Sequence, residues 1–258
     1  MPRFAANLSM LYPEVPFLER FALAARDGFT AVEFQFPYAH AAADIRTRLD
    51  AARLTPVLHN LPPGDWNGGE RGIACHPERV AEFRDGVALA IEYAGVLGVA
   101  QLNCLAGIAP SGVSGARLRN TFVENLGHAA AALGKAGLRL LIEPVNTFDI
   151  PGFYLNRTRQ AVAILEEIGA LNAFVQYDIY HAQRMEGELA ATCREFLPRI
   201  GHMQCADNPG RNEPGSGEIN YAYLFAAIDR LGYDGWIGCE YKPAGDTTAG
   251  LSWRKRLC

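Results

Sequence analysis

Residues 77–105 read PERVAEFRDGVALAIEYAGVLGVAQLNCL, and two periodicities meet inside them. Val80, Phe83, Val87, Ile91 and Ala94 step by three and four, which lays one apolar stripe along a helix from about Pro77 to Leu97. Pro77 suits the first turn, where a missing N–H costs nothing. Gly98 stands where a left-handed residue closes a helix, and Val99–Leu105 is then a short apolar run of strand length.

On either side the same unit recurs. Further short apolar runs lie at Arg3–Leu8, Ala31–Phe36, Thr55–Asn60, Leu138–Glu143, Phe174–Ile179, His202–Ala206 and Trp236–Tyr241, so the candidate strands number eight. Between them, Leu118, Phe122, Leu126, Ala129 and Leu133 follow a candidate Ser114 cap, and Leu224, Ile228 and Leu231 mark another helix. Gly28, Gly98, Gly137, Gly169 and Gly232 each fall after a helical run and before a strand. Strand alternating with helix means a parallel sheet with crossover helices. No Ser/Gly-rich linker, charge block or shift of composition divides the chain. The reading is α/β, a single (β/α)8 TIM barrel domain over residues 1–258. Gly245–Cys258 reads either as the last helix or as a loose terminus.

A hydrophobic content of 49% with 20% charged residues excludes a disordered or fibrous chain. A net charge of −4 leaves no electrostatic footprint for a phosphate backbone, so no nucleic acid partner is expected. The first residues lack a secretory signal, and no run of 18 apolar residues occurs, so no membrane partner is expected either. The six cysteines form no C-x-x-C pair and sit mostly in apolar segments, which suits a reducing cytoplasm.

In such barrels the chemistry lies at the carboxyl ends of the strands. The fifth run ends at Glu143 before Pro144, the sixth at Asp178, the seventh carries Gln204, and the eighth ends at Glu240. Three carboxylates converging on one mouth are costly to desolvate and repel one another, and a divalent cation resolves both problems. Glu, Asp, Gln and Glu oxygens suit a hard ion, Mg²⁺ or Mn²⁺ rather than Zn²⁺. The alternative is that Asp178 caps a helix while Glu143 and Glu240 pair with Arg or Lys; four such residues on consecutive strands favour the metal. Strand alternation sends Cys205 and Cys239 outward, as packing residues. His181, three residues after Asp178, is either a substrate contact or a loop histidine, and His59 is expected to face the mouth. His202 reads as a satisfied barrel-core residue, and His40, His76 and His128 as surface or helix residues. The long segment Leu61–Cys75 suits a lid, with Trp66 as its apolar face and Arg71 as an anion contact. Arg211 and Lys242 are further cations near the mouth.

The runs Phe4-Ala5-Ala6-Asn7-Leu8-Ser9-Met10, His59-Asn60-Leu61-Pro62, Gly64-Asp65-Trp66, Gly69-Glu70-Arg71-Gly72, Asp149-Ile150-Pro151-Gly152, Gln176-Tyr177-Asp178-Ile179-Tyr180-His181 and Glu240-Tyr241-Lys242-Pro243 resemble the bacterial hydroxypyruvate isomerase family. That family is a branch of the xylose-isomerase-like barrels, and the resemblance covers nearly the whole chain. It implies that Glu143 and Glu240 are the paired proton donor/acceptors, and that Glu143, Asp178, Gln204 and Glu240 hold the metal. The substrate it implies is a small 2-oxo/hydroxy acid, with His59, Trp66, Arg71, His181, Arg211 and Lys242 as candidate contacts. Related ketose 3-epimerases have His where Gln204 stands, a departure that speaks against sugar epimerisation. The motifs of 2-oxo-tetronate isomerases are nearly indistinguishable. A metal-dependent apurinic-site endonuclease on the same barrel would need a His-rich ligand set and a basic groove. A non-catalytic sugar-acid binding protein would have no use for two mouth glutamates. Barrels with exposed helices often form homo-oligomers, but no stripe here identifies a face.

Overall fold

The computed structural model of the chain describes residues 2–257. Its first half runs β1 (Arg3–Asn7), α1 (Phe17–Arg26), β2 (Ala31–Glu33), α2 (Ala42–Ala52), β3 (Thr55–Pro56), β4 (Leu58–Asn60), α3 (Val80–Leu97), β5 (Gln101–Cys104) and α4 (Gly115–Lys135). The second half runs β6 (Arg139–Ile142), α5 (Thr158–Ile168), β7 (Ala173–Asp178), α6 (Ile179–Met185), α7 (Leu189–Phe196), β8 (Ile200–Gln204), α8 (Tyr221–Arg230), β9 (Trp236–Cys239), α9 (Thr247–Gly250) and α10 (Trp253–Leu257).

All nine strands pair in parallel, in the order β3-β2-β1-β9-β8-β7-β6-β5-β4. The ends of that order meet, because Phe34 donates its N–H to Leu58 O at 3.4 Å and Asn60 donates to Gln35 O at 2.8 Å. The result is a nearly closed barrel ringed by helices, the TIM-barrel arrangement. The ninth strand arises because the expected strand 55–60 is broken at Val57: Pro56 has no N–H to donate to the ladder. The strand expected over Ala31–Phe36 stops at Glu33, since the Gln35 N–H goes to Ser9 Oγ at 2.8 Å rather than to a neighbouring strand.

The helices follow their stripes. In α4, Leu118, Phe122, Leu126, Ala129 and Leu133 are all buried, and Ser114 Oγ accepts the Arg117 N–H at 3.3 Å as its cap. The five glycines that punctuate the units all have positive φ, from 65° to 81°. The tail is ordered helix: Trp253 is buried edge-on to Phe4 and donates from its indole to Tyr241 Oη at 3.2 Å. Cys258 lies outside the described residues. Among the described residues no helix is long and apolar enough to cross a membrane.

Strand parity divides the side chains. Val32, Leu102, Val175, Met203, Ile237 and Cys239 join the large core between strands and helices, and Cys205 follows just past β8. The small cluster Ala5, Ala31, Val57, Leu58 and Leu141 fills the base of the barrel. Above that base the inward positions are polar, and they form the floor of the mouth.

Candidate active site

The floor is an amide layer that holds carboxylates. Asn103 and Gln176 both donate to Glu143 Oε2, at 2.8 and 2.9 Å. Asn7 and Gln204 both donate to Glu240 Oε2, at 2.8 and 2.7 Å, and the same two amides reach Glu33 Oε1 at 2.9 and 2.7 Å. Gln176 also donates to Gln204 Oε1 at 2.8 Å, so a continuous chain of amides links Glu143 to Glu240. Below it, His202 Nε2 lies 2.7 Å from Glu33 Oε2. Glu33 has room because its facing position on β9 is Gly238, where a Cβ would collide with the Glu33 carboxylate.

Over this floor lies a narrow cleft. Glu143, Glu240, His181, Arg211, Gln35 and Asn60 supply its polar lining, and Phe36, Trp66, Leu105, Val145, Ile150 and Phe153 its apolar wall. Arg211 reaches Glu240 Oε1 at 2.7 Å and Asp178 Oδ2 at 3.6 Å. It is delivered by residues 207–219, a loop that Asp207 organises by accepting the N–H groups of Asn208, Gly215 and Ile219. Arg211 itself takes a left-handed φ of 54°, costly for a non-glycine residue and sustained by backbone bonds to Asp207 and Lys242.

Asp178 divides its oxygens between two duties. Oδ1 caps α6 by accepting the Tyr180 N–H at 2.8 Å, while Oδ2 is buried with no hydrogen-bond partner. His181 Nε2 lies 3.6 Å from that oxygen and 3.8 Å from Glu143 Oε1. Burial, reinforced by Glu240 and Asp178, pushes the Glu143 carboxyl well above the usual range. Burial likewise pushes Glu240 up to about 8 and Asp178 up to about 6, in both cases against the pull of Arg211. It also holds His181 well below its ordinary value. Three buried carboxylates, Glu143, Asp178 and Glu240, thus surround one guanidinium.

That imbalance, together with the unpartnered Asp178 Oδ2, fits a cation. The donor atoms of Glu143, Asp178 and His181 lie within 4.8 Å of one another and could hold a metal ion. The donor set differs from the all-oxygen set expected from sequence in two ways. A histidine stands beside the two carboxylates, and Gln204 turns its amide nitrogen to Glu33 and Glu240 with its oxygen taken by Gln176. Glu240 has both oxygens occupied by Asn7, Gln35, Gln204 and Arg211.

Of the expected substrate contacts, Trp66, His181 and Arg211 line the cleft and three do not. His59 is a correction: Leu58 and Asn60 point inward on β4, so His59 points outward, stacked on Phe34 and beside Tyr38. Burial there pushes its pKa down to about 4. Arg71 stacks on the Trp66 ring at 4.1 Å and donates to Trp66 O and Glu70 O, bracing the wall from behind. Lys242 is exposed, and only its backbone N–H takes part, holding Arg211 O at 2.7 Å. The residues with no place in the sequence reading are Glu33, Asn103 and Asn146, and Asn7, Asn60 and Gln176 entered it only within motifs. All but Asn146 share one signal, a polar residue at an inward alternate position of an apolar strand.

A family profile described as xylose isomerase-like TIM barrel matches residues 21–257. The chain is 55% identical over 253 residues to the hydroxypyruvate isomerase of Escherichia coli, covering 98% of each chain. It is 54% identical over 255 residues to the 2-oxo-tetronate isomerase of Cupriavidus necator, covering 99% of this chain and 98% of the relative. A solved structure described as AP endonuclease, family 2, from Brucella melitensis superposes with a TM-score of 0.97 at 45% identity, over 99% of both chains. With a parallel barrel, carboxylates gathered at its mouth and relatives matched end to end, the chain belongs to the xylose isomerase-like TIM barrel family.

Proposed function

We propose that the protein interconverts hydroxypyruvate and tartronate semialdehyde by proton transfer through an enediolate. The observation that carries this reading is the pair Glu143 and Glu240 lining one cleft, joined through the amide floor and flanked by an apolar wall. The two acids differ by a 1,2-shift of hydrogen. One carboxylate removes a proton from C3 of hydroxypyruvate, and the other returns a proton to C2. Burial raises both glutamates above the usual carboxylate range, and the charge of each disfavours ionisation of the other, so one can be ionised while its partner is protonated. Arg211 is the lining cation placed to take the substrate carboxylate, and His181 the group placed against the oxygen that gains charge.

Glu143 and Asp178 supply carboxylate oxygens for a divalent ion, and oxygen donors favour Mg²⁺ or Mn²⁺. When bound, such an ion supplies Lewis-acid stabilisation of the developing negative charge. The wall of Phe36, Trp66 and Phe153 excludes water that would quench the intermediate. Five described cysteines are buried free thiols, which supports a reducing, cytoplasmic setting.

A second reading, isomerisation of the one-carbon-longer 2-oxo-tetronate, draws on the nearly equal identity to a relative of that name. An endonuclease reading has less support: the mouth is walled by aromatic and aliphatic residues, and Arg211 is its lining cation. The test is proton NMR of each acid with the purified protein in D₂O, with and without chelator. Tartronate semialdehyde forming with solvent exchange, faster than the longer acid converts, is the expected result. Faster conversion of the longer acid transfers the assignment to the second reading. No exchange into either acid after adding Mg²⁺ or Mn²⁺ overturns both.

A further inference from the structure

We propose that Asn146 is a positioning residue that holds His181 as its Nε2–H tautomer, so that the imidazole offers the cleft a hydrogen-bond donor rather than a metal-ligating lone pair. The inference about the resting protein stands on hydrogen bonding alone; its meaning for catalysis rests on the isomerase reading above.

The hydrogen bonds leave Asn146 one orientation. Asn146 is fully buried in the loop after β6. Its Oδ1 accepts the N–H groups of Phe148 at 3.0 Å and Asp149 at 2.8 Å, an Asx turn that fixes which end of the amide is oxygen. Nδ2 therefore faces the other way, 2.7 Å from His181 Nδ1 and 3.1 Å from Asp149 Oδ2, and both of its hydrogens are committed. Asp149 is anchored in turn by the Tyr180 hydroxyl at 2.8 Å and by Arg184 at 3.0 Å. The Asn146 backbone N–H approaches the same Nδ1 at 3.4 Å. Two donors converging on Nδ1 require a lone pair there, since a proton would meet theirs. A neutral ring then carries its hydrogen on Nε2.

Nε2 faces the cleft between Asp178 Oδ2 and Glu143 Oε1, at 3.6 and 3.8 Å, too far for a hydrogen bond to either. The donor is thus left for an oxygen that enters between them. In the donor cluster, the two carboxylate oxygens are the ligands for an ion, and the imidazole is the neighbouring electrophile that pairs with the substrate oxygen as charge develops. The arrangement inverts the usual metal site, where the second nitrogen donates to a carboxylate or carbonyl and frees the first as a ligand.

The test is the ¹⁵N chemical shifts of the His181 ring in histidine-labelled protein at a single pH near 7, without substrate. Its signals are assigned by their loss in His181→Gln. The expected spectrum has a protonated-type Nε2 and a bare, pyridine-type Nδ1. Asn146→Asp offers Nδ1 an acceptor and is expected to move the proton to Nδ1, tighten Mn²⁺ binding and lower kcat by about 10- to 100-fold with less change in KM. Asn146→Ala is expected to give a mixture of tautomers. A proton on Nδ1, or on both nitrogens, in the unaltered protein overturns the proposal, as does an unchanged tautomer in folded Asn146→Ala. Should Asn146→Asp fail to fold, the unaltered and Asn146→Ala spectra still decide it. The expected spectrum in a protein inactive on both acids would retire the isomerase reading and leave the tautomer assignment standing.

Discussion

Glu143 and Glu240 are held alike, each with one oxygen pinned by two side-chain amides and the other turned to the cleft or to Arg211. Replacing either with Gln keeps the shape and removes the proton acceptor, so kcat is expected to fall by about 10³-fold with far-UV circular dichroism unchanged. Retention of most activity in either variant removes that residue from the proton steps. Glu33 does a different job, since it accepts from Asn7 and Gln204 and faces His202. Glu33→Gln places a donor among donors and should cost about 1–3 kcal/mol in urea unfolding. The strand-end acids were legible because each closes an apolar run before a Pro, a turn or a helix. Glu33 was not, because Phe34 and Phe36 carry the apolar run past it and only parity marks it as inward. Parity also explains His59: with Leu58 and Asn60 inside, it can only be outside.

At the scale of elements, the helical stripes and their glycine stops were the most readable features, since a helix states its burial over several turns. Strand ends were less so, because they depend on where single N–H groups go: Pro56 has none, and Gln35 gives its own to Ser9. The cap of α4 is exposed and does not line the cleft, so Ser114→Ala should cost about 1 kcal/mol of stability and leave turnover unchanged. The Leu61–Cys75 segment departs more from its reading as a lid. It is closed on itself by Gly72 N–H on Pro63 O at 2.9 Å and tied to the loop after β5 by Cys75 N–H on Ala106 O at 2.8 Å. Gly72 has φ 102°, and a Cβ there would run into Leu105 O, which is backbone and cannot turn aside. Gly72→Ala is therefore expected to displace the segment that carries Trp66, raising KM at a stability cost of about 1–3 kcal/mol. An unchanged KM would show that the Trp66 wall is set from elsewhere.

For the whole molecule, the gathering of Glu143, Asp178 and Glu240 over one floor is expected to make stability depend on pH and on divalent ions. A buried carboxyl whose pKa is raised on folding keeps its proton in the native state at a pH where the unfolded chain has lost it. Stability from this source therefore falls as pH rises above the ordinary carboxylate range, through about 6 for Asp178 and about 8 for Glu240, with Glu143 acting in the same direction. Asp27, Glu70, Glu82 and Asp149 are shifted down by hydrogen bonds and ion pairs that together outweigh burial, and their contribution is lost as pH falls below the ordinary carboxylate range. The chelated protein should accordingly show its highest Tm near pH 5 and a decline toward pH 8. A divalent ion binds the ionised cluster, so Mg²⁺ or Mn²⁺ should raise Tm at pH 8 and have little effect at pH 5. The rate obeys the opposite sign. Proton removal needs one glutamate ionised, so kcat/KM should rise with pH through the window in which stability declines, and added ion should move that limb to lower pH. A Tm that ignores divalent ions at every pH would leave Arg211 as the cluster's cation and remove the metal from the proposed mechanism.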